Sequence, residues 1–522
     1  MKRPLTIAAT AILAMLILYA CASTIRTGTT SFVTVTIGGP ANTVVLKAEA
    51  ATPWARLKDY LAAAKWMSEA YAYIPSIVQV LTVTVTAPDI ATPIVGVSSV
   101  SSTQTTATLR LEVPNGTGRN FLVEGWRALP GGTTQLFYSG TVGPLDLSGT
   151  DVSLPVVMAM VGPGILVSAQ SPSAIDTTGC GTSTQPCRSI SFALSQTTGT
   201  DAVIVNPGTY TPVGAGGSES FPLQLKPLTA LLCTGTVSAP SVIDLQTLAT
   251  TAIYGNDGAS IDNCLIRVSA PAGGGRAMND AIGGSPTQQS RLRVNGVSIE
   301  LSGSPTGLAN VGVLFNYDSL LLESTITGSA ASGSVFGVQV NAGKPNIIGS
   351  TISNLPRGID LATGANDALI ESNNIDLNLY GIWVATPNKP QIRLNNISSG
   401  STGIYVSAGS PVITSNHINN NSIGLDVEFS AGSPVIQSNS LYCNLIADLF
   451  TNMSTVLDIR GNAWDHDLTT SPSGTFGPTD MTSNNGAFGC INGVDVCYQD
   501  TSPQPNYTSI LPAVPNGCLL PN

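Results

Sequence analysis

Charge is scarce in this chain. Only 10% of its 522 residues are charged, against a typical share of about 25%. The 21 Lys and Arg are outnumbered by 31 Asp and Glu, the net charge is −10, and no basic patch appears. A nucleic-acid partner needs clustered cations to neutralise phosphates, so that class is excluded. Histidine occurs only twice and no two cysteines have CxxC spacing, which argues against a Cys/His metal site. No metal and no cofactor is expected. The longest apolar run, Leu5 to Tyr19, is short of the roughly 20 residues that a membrane-spanning helix needs.

That run has another use. Lys2 and Arg3 precede it and Leu18-Tyr19-Ala20-Cys21 ends it, the layout of a signal peptide over residues 1–20. The ending resembles a lipobox, which implies lipidation of Cys21 and a membrane partner through that anchor. Secretion after cleavage near Ala22 is the alternative. In a Gram-negative cell, the absence of Asp after the cysteine implies the outer membrane. Nine cysteines less Cys21 leave eight, an even number that fits disulfides in an oxidising compartment. Cys180 and Cys187 close a short loop, and Cys233 and Cys264 stand about one rung apart. Cys443, Cys490, Cys497 and Cys518 cluster toward the C-terminus, with three connectivities open.

The strongest positive signal is a repeat. Asn373, Asn395, Asn416, Asn439 and Asn462 lead similar stretches spaced 22, 21, 23 and 23 residues apart. A second signature follows in Gly358-Ile359-Asp360-Leu361, Gly381-Ile382-Trp383-Val384, Gly403-Ile404-Tyr405-Val406 and Gly424-Leu425-Asp426-Val427. A fixed period in the low twenties marks a solenoid. Short alternating runs of Ile and Val between Asn, Gly, Ser and Pro turns mean strands. The fold class is therefore all-β, a right-handed parallel β-helix of on the order of a dozen rungs. The lead asparagines stack in a turn as a structural ladder of side-chain amides. Backwards along the chain, Asn263, Asn295 and Ser324 are placed in the same slot.

Residues 165–232 contain Val205-Asn206-Pro207-Gly208-Thr209-Tyr210 and Glu219-Ser220-Phe221-Pro222. This segment resembles a domain of unknown function that opens many bacterial secreted β-helix proteins of the pectin-lyase-like superfamily. The later repeats resemble the generic parallel β-helix repeat also found in periplasmic copper-site assembly proteins. The resemblance covers about 300 residues; it implies the fold and brings no chemistry with it.

Ahead of the β-helix, alternating strands such as Phe32–Ile37, Ala107–Val113 and Phe121–Trp126 are separated by Gly/Pro turns, which argues a small β-sandwich of fibronectin-like or immunoglobulin-like look. Thr52-Pro53 reads as a helix start. The expected organisation is a signal peptide (1–20), N-terminal strands and a short helix (21–76), the β-sandwich (77–160), the β-helix (161–465) and a C-terminal cap (466–522).

The Gly-Ile-x-Val strands turn their apolar pair inward, so Asp360, Trp383, Tyr405 and Asp426 form one outward column. Glu428 lies two residues beyond Asp426 on the same face. Two exposed aromatics flanked by acids suit the face of a sugar ring, so these five residues are the candidate ligand site and polysaccharide the candidate partner. Lyase chemistry needs clustered carboxylates and a base, and hydrolase chemistry needs grouped aspartates. No motif of either kind is present, and Arg393 stacks beside Glu371 on another strand. Asp465-His466-Asp467 reads as polarity at the cap. The chain is thus read as a surface-anchored glycan-binding or structural envelope protein, with a polysaccharide lyase or glycoside hydrolase as the alternative. The sequence names neither the ligand nor an oligomeric state.

Overall fold

The computed structural model describes residues 30–37, 39–40, 71–72, 78–100, 107–128, 133–156, 158–162, 164–198, 201–213, 217–269, 274–281, 291–303, 309–329, 334–365, 367–428, 430–453, 455–464, 481–484 and 494–499. Cys21, the helix expected from Thr52, Asp465-His466-Asp467, Cys490, Cys518 and the side chain of Cys497 lie outside what is described. The chain divides into two compact units between Gly162 and Pro163.

The first unit is a small β-domain of two sheets. One contains Ala107–Pro114, Thr30–Ile37 and Val152–Pro155; the other contains Ala159–Met160, Thr134–Leu147, Gly116–Ala128, Val80–Thr86 and Ile94–Ser99. Burial alternates residue by residue along Ala107–Pro114, as period-two patterning dictates for a strand with one wet face. Gly96 of the second sheet lies against Leu109 and Leu111 of the first, so the two inner faces share a core. Thr30–Ile37 is the central strand of the first sheet, antiparallel to Ala107–Pro114 and parallel to Val152–Pro155.

The second unit is a right-handed parallel β-helix with three sheets of 11, 11 and 12 strands. Each rung gives one short strand to each sheet. In the second sheet Ile352, Ile375, Ile397, Ile418 and Leu441 stack in register and are at most 1% exposed. Burying each contributes about 1.5–3 kcal/mol.

The turn between the first and second sheets carries the ladder. Asn373 Nδ2 donates to Asn395 Oδ1, and the same bond repeats from Asn395 to Asn416, Asn416 to Asn439 and Asn439 to Asn462, at 2.9–3.0 Å. Each backbone N–H donates to the same oxygen, and each amide also donates to an earlier carbonyl, as Asn395 does to Ile370 O at 3.0 Å. Ser350 and Ser324 continue the column. Below them, strand register puts Val297 and Cys264 in the slot, not Asn295 and Asn263. Asn263 is the residue just before it, at φ 57°, the left-handed position that Ser372, Leu394, Ser415 and Ser438 occupy on later rungs. Four rungs before Asn373 the Cys233–Cys264 disulfide ties neighbouring rungs, and Cys180–Cys187 closes a loop ahead of Ile190–Gln196. Cys443 is also disulfide-bonded.

A second ladder lies in the turn between the second and third sheets. Asn421 Nδ2 donates to Asn444 Oδ1 at 3.1 Å, and the Leu355 and Gly400 N–H groups donate to Asn378 and Asn421. The glycine of the Gly-Ile-x-Val signature has a steric cause. A Cβ on Gly381 would stand 2.5 Å from the Gly403 carbonyl oxygen, and one on Gly403 would stand 2.5 Å from that of Gly424.

The residues of the N-terminal resemblance close that end. Helix α1 (Ile190–Gln196) is capped by Ser189, and the buried Glu219 carboxylate accepts from the N–H groups of Ile190 and Ser191 at 2.7 and 2.9 Å. Tyr210 is buried and donates to Asn206 O at 2.9 Å. At the other end, Val494–Gln499 adds to the third sheet beside Ala447–Thr451, with Met481–Asn484 outside it.

Candidate functional site

The third sheet holds the candidate column in strict register: Gln339, Asp360, Trp383, Tyr405, Asp426 and Phe450 lie one per rung. Ile382, Val384, Ile404 and Val406 are fully buried on the other face. Trp383, Tyr405 and Asp426 are half-buried. Trp383 and Tyr405 meet at 4.3 Å between ring centroids, tilted by 51°. Tyr380, three residues before Trp383 on the same strand, packs edge-on to it at 4.7 Å and lies 5.7 Å from Tyr405.

Two features differ from the flat platform expected from the sequence. The Arg357 guanidinium sits 3.8 Å from the Trp383 ring centroid and 5.2 Å from that of Phe336, so cation–π stacking covers the ring from the preceding rung. Tyr405 packs against it from the next rung. The indole is therefore held in a pile along the helix axis. Asp360 is the second difference. It is 4% exposed, pairs with Arg357 Nη1 at 2.9 Å and bonds to Gln339. Burial nevertheless pushes its carboxyl above the usual range, against the pull of Arg357. It anchors Arg357 and is not an open end of the column.

The other end is open in a chemical sense. Asp426 Oδ1 is buried and accepts no hydrogen bond. Burial, then repulsion from Glu428, pushes the Asp426 carboxyl up to about 7. Tyr405 donates to Glu428, and burial with the two nearby carboxylates pushes the phenol up to about 12. Asn452 Nδ2 also donates to Glu428. No ion pair among the described residues involves Asp426 or Glu428. The patch thus joins a neutralised Arg–Asp pair, three touching aromatics and two carboxyls without a cation.

Arg357, Tyr380, Gln339 and Asn452 were not singled out from the sequence. Arg357 and Tyr380 occupy the other outward position of the Gly-Ile-x-Val strand, paired in register. Period two places residues three apart on opposite sides of the pleat, yet Arg357 and Tyr380 both pack against the Trp383 ring. Arg393 bonds to Glu371 at 3.2 Å on the first sheet, in neighbouring rungs.

A family model described as "Periplasmic copper-binding protein (NosD)" matches residues 283–478, which include the whole patch. Among the described residues no three His, Cys, Asp or Glu side chains gather as metal ligands would. The thiols of Cys180, Cys187, Cys233, Cys264 and Cys443 are spent in disulfides, which removes their thiolates as soft ligands, and exposed His417 stacks between Asn396 and Ser440. The described residues therefore do not fit a copper site. No curated protein matches the chain. Among solved structures it is similar to the A-module of the mannuronan C-5 epimerase AlgE4 of Azotobacter vinelandii, at 12% identity, 60% of this chain, 91% of that one and a TM-score of 0.38. It is also similar to a family 28 exopolygalacturonase of Yersinia enterocolitica, at 9% identity, 79% of this chain, 87% of that one and a TM-score of 0.33, and to an alginate lyase from Paenibacillus sp. str. FPU-7, at 13%, 60%, 96% and 0.29.

Proposed function

We propose that this is an extracytoplasmic β-helix protein, held at the cell envelope through a lipid on Cys21, that binds polysaccharide on the outer face of its third sheet. The observation that carries the binding surface is the join between the Tyr380–Trp383–Tyr405 cluster and the uncompensated Asp426–Glu428 pair. The disulfides and the match to a family described as periplasmic support the compartment. With Trp383 held in a pile, a sugar meets aromatic edges and the exposed part of Tyr405, while Glu428 and a protonated Asp426 bond its hydroxyls. Arg357 is already neutralised by Asp360, so the patch carries no free positive charge. A polyuronate would be repelled, and an uncharged or amino-bearing glycan suits it.

The test is a pull-down on envelope polysaccharide with Trp383→Ala combined with Tyr405→Ala. Retention should fall at least tenfold while circular dichroism is unchanged. Unchanged retention with intact folding would sink the reading. For the anchor, Cys21→Ser should move the protein from the membrane to the soluble fraction.

One observation favours glycoside hydrolysis as a second reading. Asp426 keeps its proton to about pH 7, as a general acid must, and Glu428 lies two residues further along the chain, just past the end of that strand. Release of reducing ends, abolished by Asp426→Asn, would establish it.

A further inference from the structure

The N-terminal end of the third sheet holds a recess that the proposed binding surface does not use. It lies between helix α1 and the first rungs and encloses about 390 Å³, within the roughly 300–1,000 Å³ range of small-molecule sites. Leu194, Leu223 and Leu225 supply an apolar floor, and Gln224, Tyr254 and Asn256 supply a ring and polar groups at the mouth. Lys226 is the single charged lining residue. Its ammonium donates to the carbonyls of Ser195, at 3.1 Å, and Thr197, so its donors are committed to the end of α1. No carboxylate lines the recess.

Its walls are fixed in advance. Glu219 bonds the first turn of α1 and Lys226 bonds the last. Ser220 N donates to Ser191 Oγ at 3.2 Å, joining the Glu-x-Phe-Pro segment to the helix. The Glu-Ser-Phe-Pro motif thus builds one side of the recess, with Ser220 and Pro222 in its lining. A preformed site loses less entropy on binding.

We propose that this recess is a second saccharide site, taking one or two units of an uncharged sugar: Tyr254 meets the ring, and Gln224 and Asn256 bond the hydroxyls. The recess and the proposed binding surface share an outward column, with Tyr254 five rungs from Trp383, or about 24 Å at roughly 4.8 Å per rung. Asn279 and Leu314 between them are buried, at 6% and 5% exposure, so the two are separate sites and not one groove.

The test uses the full chain and four probes: chitobiose, cellobiose, maltose and mannobiose. Saturation-transfer NMR should detect at least one of them on the wild type. Tyr254→Ala should cut that signal at least fivefold, as should Ser195→Trp, which fills the recess from an exposed position of α1 and leaves Tyr254 in place. Both recess variants are compared with their parent in the Trp383→Ala, Tyr405→Ala background, which removes the share of the signal that the third-sheet patch contributes; that parent should keep a clear signal. Absence of any signal, or a signal that survives both recess variants in folded protein, overturns the proposal. A signal lost only in the Trp383/Tyr405 variant overturns it too, and leaves the reading of the third-sheet patch standing.

Discussion

Two columns run along the same β-helix and obey opposite rules. In the turn between the first and second sheets, Asn373 to Asn462 repeat one residue type, lie at most 2% exposed and bond one another in an unbroken chain. On the third sheet Asp360, Trp383, Tyr405 and Asp426 share an equally strict register, yet no two neighbours are alike and one buried oxygen has no partner. Stacking in a solenoid rewards identity, because each amide then meets its own complement. A column that keeps register but gives up identity, and leaves a carboxyl uncompensated, is not optimised for the scaffold.

The largest effect should come from breaking the first column. Asn395→Leu removes the acceptor shared by the N–H and the amide of Asn373, leaving that amide only Ile347 O, and takes the amide donor from the Ile370 carbonyl. Urea unfolding should show a loss of about 3–5 kcal/mol. Gly381→Ala sharpens the contrast within the third sheet, because its Cβ would meet the Gly403 oxygen at 2.5 Å. A loss of about 2 kcal/mol is expected.

The second column should respond with the opposite sign. The Asp426 pKa is raised from the ordinary 3.8 to about 7. A raised acid pKa means that the folded state holds the proton more tightly. Its contribution is full below about pH 4 and is lost as pH rises through about 7. Asp426→Asn should therefore gain stability over the wild type between pH 4 and 8, by on the order of 1–3 kcal/mol after allowance for its partial exposure. Glu428 and Tyr405 are the titratable groups that interact with it, and neither should reverse that sign. The smallest effect is at Leu394, which is 53% exposed at φ 58°. Asn tolerates that backbone better than Leu, so Leu394→Asn should raise stability by about 0.5–1 kcal/mol.

Much of the scaffold was legible in the sequence because period and chemistry agree: Asn373 to Asn462 announce both the rung length and the ladder. The second ladder was equally periodic, since Asn378, Asn421 and Asn444 each follow a ladder asparagine by five residues, but Gly400 interrupts it and hides the pattern. Register failed where insertions lengthen the rung, so Asn263 and Asn295 were misplaced by one and two residues. The site was legible only as a column. Alternation shows which way Trp383 points; it does not show that Arg357 would reach across the pleat to cover the ring, or that Asp360 would be buried in satisfying Arg357.

The central claim is that the third-sheet column is a binding surface and the amide column is scaffold. Tryptophan emission tests it most directly, since Trp383 is one of five tryptophans. Titration with uncharged envelope polysaccharide should quench or blue-shift the emission of the wild type. Trp383→Phe should abolish the change and leave the melting temperature within about 2 °C. A response that persists in Trp383→Phe, or no response in wild-type protein at saturating polysaccharide, would contradict the account.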